Sequence, residues 1–436
     1  MNCATANSLA PWTMTVPPHW QVCRLVAVAD VVFSNVDKHT VDGELPVRLC
    51  NYTDVYKNSR VSSSIEFMQA SALPREIKKF QVRKGDVLAT KDSEEPNDIA
   101  VSALISEDLP NVLCGYHLAL IRPKVNRMLG EYLAWVQSSK GMLQQYEARA
   151  VGVTRFALSQ SAFKEIVVPV PPPDEQRRIA VYLDEVAAKI DYLMGLRRQQ
   201  IELLKEQRAA LIQQAVTRGL KRHAALRESG LPWLGQIARH WELKPVKYAA
   251  RIRRGKFGHR PRNDPAYYGG QYPFVQTGDV ATAKKYITTH TQTLNEKGYG
   301  VSAQFPAGTL LMAIAANIGD LAILGFNACV PDSIVGLFPY KGVEVEFLYY
   351  QLSCLQSWLH ALAPENTQMN LNVDRFSPQK IAVPPHDEQK EICQFIIEME
   401  AQVEATLSTY NRQLELLSEY RATLIYEYVT GQRSVT

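Results

Sequence analysis

Apolar residues fall at Ile179, Leu183, Val186, Ile190, Met194, Ile201, Leu204 and Leu211, and again at Ile392, Ile396, Met399, Val403, Leu407, Leu414, Leu417 and Leu424. Steps of mostly three and four put each series along one stripe of a helix, with the seam of a coiled coil. Both series take two consecutive steps of four, Val186 to Ile190 to Met194 and Met399 to Val403 to Leu407. That is a local 11-residue step that relaxes the supercoil. A shared irregularity predicts that the two helices pair with each other through Ile179, Leu183, Val186 and Ile190 and through Ile392, Ile396, Met399 and Val403. Two separate amphipathic helices, each on its own domain, are the competing reading. Both stretches follow prolines, in VPPPDEQ (170–176) and VPPHDEQ (383–389). The prolines give a rigid extended entry, Asp174 and Asp387 read as N-caps, and the glutamate after each favours the positive end of the helix dipole. Gly219 ends the first helix. About 44 residues at 1.5 Å each make a rod of roughly 65 Å, long enough to act as a spacer.

Elsewhere the period shortens. FVQTGDV, VLAT and IVGLFP read as short strands broken by Gly, Asp and Pro, and GEYLAWVQSSKGMLQQYEA and EVEFLYYQLSCLQSWLHAL read as helices. The class is therefore α+β. The pattern is also written twice. APWTMTVPPHW (10–20) is echoed by LPWLGQIARHW (231–241), LCNYTDV by FVQTGDV, KGDVLAT around Gly85 by AGTLLMA around Gly308, and HLALIRP by SIVGLFP. The offset between copies drifts from 225 to 223 to 216 to 213, as small loop insertions in two copies of one unit would make it. From Val170 and Val383 onward no gap is needed. The predicted organisation is a pseudo-two-fold repeat: globular domains over 1–169 and 221–382, and long helices over 170–220 and 383–436, antiparallel and forming a coiled coil.

Composition narrows the class of function. The seven cysteines include no Cys-x-x-Cys pair, so neither a zinc site nor a redox centre is expected, and reduced cytoplasmic thiols are. The N-terminal MNCATANSLAPW lacks a basic region followed by an apolar run, and GTLLMAIAANIGDLAILG is interrupted by Asn317 and Asp320, so no segment is predicted to enter a membrane. Charge is unevenly spread: 221–383 holds 18 basic and 11 acidic side chains, whereas 384–436 holds 4 and 9. A basic second domain points to a polyanionic partner.

Candidate chemistry is sparse. No G-x-x-x-x-G-K-[ST] loop offers a seat for ATP, and no H-E-x-x-H pairing offers a metal site. DPAY (264–267) is close to the loop by which adenine methyltransferases hold a flipped base, but no strand, glycine-rich turn and helix follow in the order that a methyl donor needs. A turn is the simpler reading. The run RHWELKPVKYAARIRRGKFGHRPR (239–262) carries nine Lys or Arg against one Glu, with Gly255 and Gly258 allowing close backbone approach. Arginine forks suit guanine edges and phosphates, which makes Arg251, Arg253, Arg254, Lys256, Arg260 and Arg262 the DNA-facing candidates. In the first domain Lys78, Lys79, Arg83 and Lys84 are a thinner set. A solvated face is the competing reading for both.

Two globular units, each followed by a P-P-x-x-E-Q motif and a long helix, resemble the specificity subunit of type I restriction-modification systems. The resemblance covers essentially the whole chain. Its carriers are VPPPDEQRRIAVYLDEVAAKIDYL with VPPHDEQKEICQFIIEMEAQVEATL, the joining phrase ESGLPWLGQIARHWELKPVKY, and PENTQMNLNVDRFSPQKIAVP. It implies a non-catalytic subunit in which each domain is a target-recognition domain reading one half of a bipartite site on double-stranded DNA. The paired helices would set the spacer and dock two methyltransferase subunits. Those partners carry S-adenosylmethionine and methylate adenine, and further restriction subunits use ATP and Mg to translocate and cut, leaving this chain without a cofactor or metal of its own. His386 in place of a third proline and the acidic second helix are the departures, and they leave room for unequal docking of the two methyltransferases. A self-sufficient adenine methyltransferase using DPAY and a coiled-coil scaffold indifferent to DNA stay open as alternatives.

Overall fold

The computed structural model describes residues 16–221, 223–362 and 371–435. Pro11 and Trp12 of the repeated tryptophan phrase, and the PENTQMN part of the stretch before the second helix, lie outside the described residues. The chain divides into two compact units, one of residues 1–198 with 411–436 and one of residues 199–410. The long helices Pro173–Arg218 and His386–Val429 each give their N-terminal part to one unit and their C-terminal part to the other.

The repeat extends to strand order. In the first unit a five-stranded sheet runs Ala29–Phe33, Leu118–Pro123, Val87–Thr90, Ser102–Ile105, Arg60–Val61, with only the last pair parallel. In the second it runs Ala250–Arg254, Ile334–Pro339, Leu310–Ala313, Leu321–Leu324, Tyr286–Ile287, again with only the last pair parallel. Alternate residues of these strands serve two cores. Leu310, Met312, Ile323, Val335 and Leu337 lie in one cluster, and Leu311, Ala322, Leu324 and Ile334 in another. The first unit splits Val87, Ala89, Ala119 and Ile121 from Leu88, Leu118 and Leu120 in the same way. The central strands are covered on both faces, which is why VLAT, LLMA and LAIL read as continuous apolar runs. A second sheet lies in each unit. Met68–Ala72, Leu45–Cys50 and Val112–Cys114 form it in the first, and Gln292–Leu294, Tyr268–Phe274, Ala328–Val330 and Ala303–Phe305 in the second.

VLAT and IVGLFP are strands as expected. FVQTGDV is not: only Phe274 ends a strand, and Thr277–Thr282 is helical because Gln276 and Asp279 form a capping box. Its repeat partner does the same, with Asn51 and Asp54 boxing Tyr52–Tyr56. A reciprocal cap satisfies two orphan backbone groups and overrides the strand-like composition. The expected domain helices each break in two, at Ser138 between Gly130–Gln137 and Lys140–Glu147, and between Val345–Ser353 and Gln356–Leu362. At the first break the Ser139 hydroxyl donates to the Val136 carbonyl at 2.7 Å, competing with the helix ladder.

The long helices begin two residues earlier than aspartate N-caps would have placed them. Pro173 and His386 open them, and Pro172 and Pro385 supply the first acceptor carbonyls. Asp174 sits in the first turn rather than at the cap, where it pairs with Arg177 at 3.3 Å. The seam residues also do more than pair helices. In the first unit Ile179, Leu183 and Ile190 are buried, with Val186 half-buried, among Leu424, Ile425 and Val429 and also Tyr132, Leu133 and Phe163 of the domain. In the second Ile392, Ile396, Met399 and Val403 are buried with Ala215 and Val216 and with Trp241, Phe347 and Tyr350. Each stripe therefore packs on a helix and on a domain core at once. Within the first unit Tyr182 meets Tyr428 at 4.5 Å and Asp191 meets Arg421 at 3.0 Å, so the helix segments run antiparallel. Within the second, Arg208 meets Glu400 at 3.6 Å.

Candidate nucleic-acid interface

The repeated heptad is an anchor. Gln176 is fully buried: its Nε2 donates to the carbonyls of Arg127 and Pro171, both at 2.9 Å, and its Oε1 accepts from the Leu129 amide at 2.8 Å. Gln389 repeats this, with Nε2 on the carbonyls of Gly342 and Pro384 at 2.9 Å and Oε1 on the Glu344 amide at 2.8 Å. One amide thus ties each helix start to the loop ahead of a domain helix and to its own proline turn. The neighbouring glutamates hold the His-Trp pairs, Glu175 to His19 at 3.1 Å and Glu388 to His240 at 2.8 Å. These contacts fix where each domain stands on its helix segment.

The arginine run of the second domain lies on the edge strand Ala250–Arg254 and the loop after it, and all six candidates are exposed. Strand alternation puts Arg251 and Arg253 on one face, where the Arg251 guanidinium lies 4.9 Å from the Phe338 ring centre and that of Arg253 4.0 Å from Phe305. Arg253 also donates to the Gln304 carbonyl. Burial, then the neighbouring Arg251 charge, lowers the Arg253 guanidinium from its ordinary value, so an anion at this face relieves a like-charge pair. The other arginines fold back. Arg254 Nε donates to the Asp332 carbonyl at 2.7 Å, Arg260 reaches Asp332 Oδ2 at 3.1 Å, and Arg262 reaches Asp332 Oδ1. Three of the six candidates therefore converge on one aspartate 70 to 78 residues away in sequence, and part of their hydrogen-bonding capacity serves the loop itself. Lys256 projects from the turn at Gly255. Gly255 is required there: a Cβ would come within 2.1 Å of the Pro331 carbonyl oxygen.

DPAY forms a single 3-10 turn, Pro265–Tyr267, capped by Asp264. Asp264 Oδ1 accepts from the Ala266 amide at 3.0 Å and Oδ2 meets His259 Nε2 at 3.0 Å, while His259 stacks on Tyr267 at 3.9 Å. Both carboxylate oxygens are spent on the fold of the loop.

In the first domain Lys78 and Lys79 are exposed on the helix Pro74–Phe80, and Arg83 and Lys84 on the turn before Val87–Thr90. The equivalent of the arginine strand is Ala29–Phe33, with Asp30, Val31, Val32 and Phe33 where the second domain has Arg251 to Arg254. The basic candidates of the two domains do not superpose. What the domains share instead is a glutamine whose carbonyl takes an arginine: Gln81 from Arg122 at 2.8 Å, Gln304 from Arg253. Sequence reasoning about charge missed this pair, though both lie four residues before the matched glycines Gly85 and Gly308. No group of three or more His, Cys, Asp or Glu among the described residues could hold a metal, and no described helix is long and apolar enough to cross a membrane.

The family model for the type I restriction modification DNA specificity domain matches residues 33–203 and 241–416, one match over most of each domain and the N-terminal part of its following helix. The chain belongs to that family. It is 23% identical over 386 residues to a putative type I restriction enzyme MjaX specificity subunit of Methanocaldococcus jannaschii, covering 86% of each chain. It is 21% identical over 311 residues to the EcoBI specificity subunit of Escherichia coli, covering 67% of this chain and 64% of that one. Among solved structures, a chain from a study of type I R-M complex assembly and conformational transition aligns with a TM-score of 0.73 at 19% identity, over 96% of this chain and 99% of the other. The HsdS subunit of Thermoanaerobacter tengcongensis aligns at 0.57 and 18%, over 96% and 98%. The fold is similar to that of the HsdS subunit over nearly the whole of this chain.

Proposed function

We propose that this type I specificity subunit is non-catalytic and reads a bipartite site on double-stranded DNA, one half per domain, with the paired helices setting the unread spacer. It docks methyltransferase subunits, which bring S-adenosylmethionine and methylate adenine, and restriction subunits, which bring ATP and Mg, in the cytoplasm. The observation that carries this reading is the double construction: the same strand order, the same buried glutamine anchor and the same Glu–His pair occur once per domain. Two equivalent readers on one chain match a target with two half-sites. DPAY gives no support to the enzyme alternative, because Asp264 is engaged with Ala266 and His259. The test is methyl transfer to DNA by the purified chain alone and with its methyltransferase partner. Transfer only with the partner is expected. Transfer by the chain alone, abolished by Asp264→Ala, overturns the reading.

A further inference from the structure

A cleft of about 530 Å³ in the second domain adjoins the arginine strand, walled by the stacked rings of Tyr272 and Tyr299, 4.0 Å apart, and by Phe305, and edged by Gln304 and Asn327. It is joined to the basic face through Arg253, which lies over Phe305 and donates to the Gln304 carbonyl. Both amides are exposed but not loosely held. Asn327 Oδ1 accepts from the backbone amide of Ala307 at 2.9 Å, and since a backbone N–H can only donate, the amide orientation is fixed. Gln304 Oε1 accepts from the Tyr299 hydroxyl at 2.7 Å. One lone pair of each oxygen is thus taken up by the domain, which turns the NH₂ end of each side chain away from that contact.

We infer that Gln304 and Asn327 read base edges in the half-site of the second domain, donating to acceptor atoms in the major groove. This rests on the DNA-reading function proposed above and names the residues and the edge chemistry. Guanine presents two acceptors there and thymine one, whereas cytosine presents only a donor. Arg253, itself only a donor, extends the same preference. The positions recur in the first domain. Gln81 bridges antiparallel to Leu113 as Gln304 pairs with Cys329, and Asn111 stands just before its strand as Asn327 does before Ala328–Val330. Both glutamine carbonyls are held by an arginine, although that arginine comes from Leu118–Pro123 in one domain and from Ala250–Arg254 in the other. Different neighbours supplying the same support suit a position retained for reading while its surroundings vary.

The experiment maps methylated adenines in cells carrying the complete system with Asn327→Asp or Gln304→Ala. Asn327→Asp keeps the acceptor that Ala307 needs and replaces the outward donor by an acceptor, so one position of one half-site should shift toward cytosine or adenine. Gln304→Ala should relax one position of the same half-site, with discrimination there falling roughly tenfold or more. The other half-site and the spacer stay unchanged and report that the complex is assembled. Where Asn327→Asp yields no methylating complex, Gln304→Ala decides. An unchanged motif in a variant that methylates overturns the inference while leaving DNA reading intact. Absence of any bipartite motif with the unaltered chain overturns the function on which it rests.

Discussion

Replacing Gln389 by alanine should uncouple a domain from its helix at a cost that the geometry sets. The side chain makes three hydrogen bonds, at 2.8 to 2.9 Å, and is fully buried. A hydrogen bond is worth about 0.5–1.5 kcal/mol net, and a buried group left without a partner costs about 1–3 kcal/mol. Pro384, whose carbonyl would be orphaned, is buried, while Gly342 is exposed and its carbonyl can turn to water. The sum is about 3 kcal/mol. For a unit of about 200 residues, at roughly 2–4 °C per kcal/mol, the corresponding transition should fall by roughly 6–12 °C. Glu388→Ala is the contrast, since its pair with His240 is half in water and should cost at most about 1 kcal/mol. The assay is thermal and urea unfolding of the full chain, with Gln176→Ala run beside it to lower the transition of the other unit by a similar amount. If Gln389→Ala cost no more than Glu388→Ala, the glutamine would not be the anchor and the explanation of the repeated heptad would fail.

The basic loop divides into two kinds of arginine. Arg253→Ala should reduce the salt dependence of DNA binding by about one ion if it meets a phosphate, or relax one half-site if it meets a base edge; unchanged affinity at low and high salt removes it from the interface. Arg254→Ala, by contrast, frees the Asp332 carbonyl and should show in stability of the loop, read by proteolysis, before it shows in the salt slope. Four residues inserted between Leu193 and Gln200 lengthen the helix by about 6 Å, near the rise of two base pairs, and should change the spacer while keeping both half-sites. A changed half-site with a fixed spacer refutes the helix as ruler.

Much of the fold was legible because repetition does not depend on local propensity. Ile179 with Ile392, and Gly85 with Gly308, mark the two copies before any strand is assigned, and the structure extends them to matched strand orders. Strand reading failed at FVQTGDV, where Gln276 and Asp279 cap a helix through contacts that composition does not weigh. The helix seam was readable as apolar period but not as to its partners, since Ile392 and Ile396 face both a helix and Trp241 and Phe347. The candidate site was harder. Charge density marks Arg251 to Arg262, yet the group that gathers three of those arginines, Asp332, is distant in sequence and invisible to a window. Gln176 and Gln389 were marked only as part of the repeated heptad, and Gln304 and Asn327 are uncharged amides in ordinary contexts. Only their burial, or the direction in which their oxygens are held, sets them apart.

In the proposed function, two equivalent domains on one chain read two half-sites. Methylated-adenine mapping across the genome of a host that expresses this chain with its methyltransferase partner tests it most directly. The expected result is a motif of two unlike specified blocks, separated by a fixed number of unread base pairs and lost when the chain is deleted. A single continuous motif, or the same motif without the chain, would contradict it.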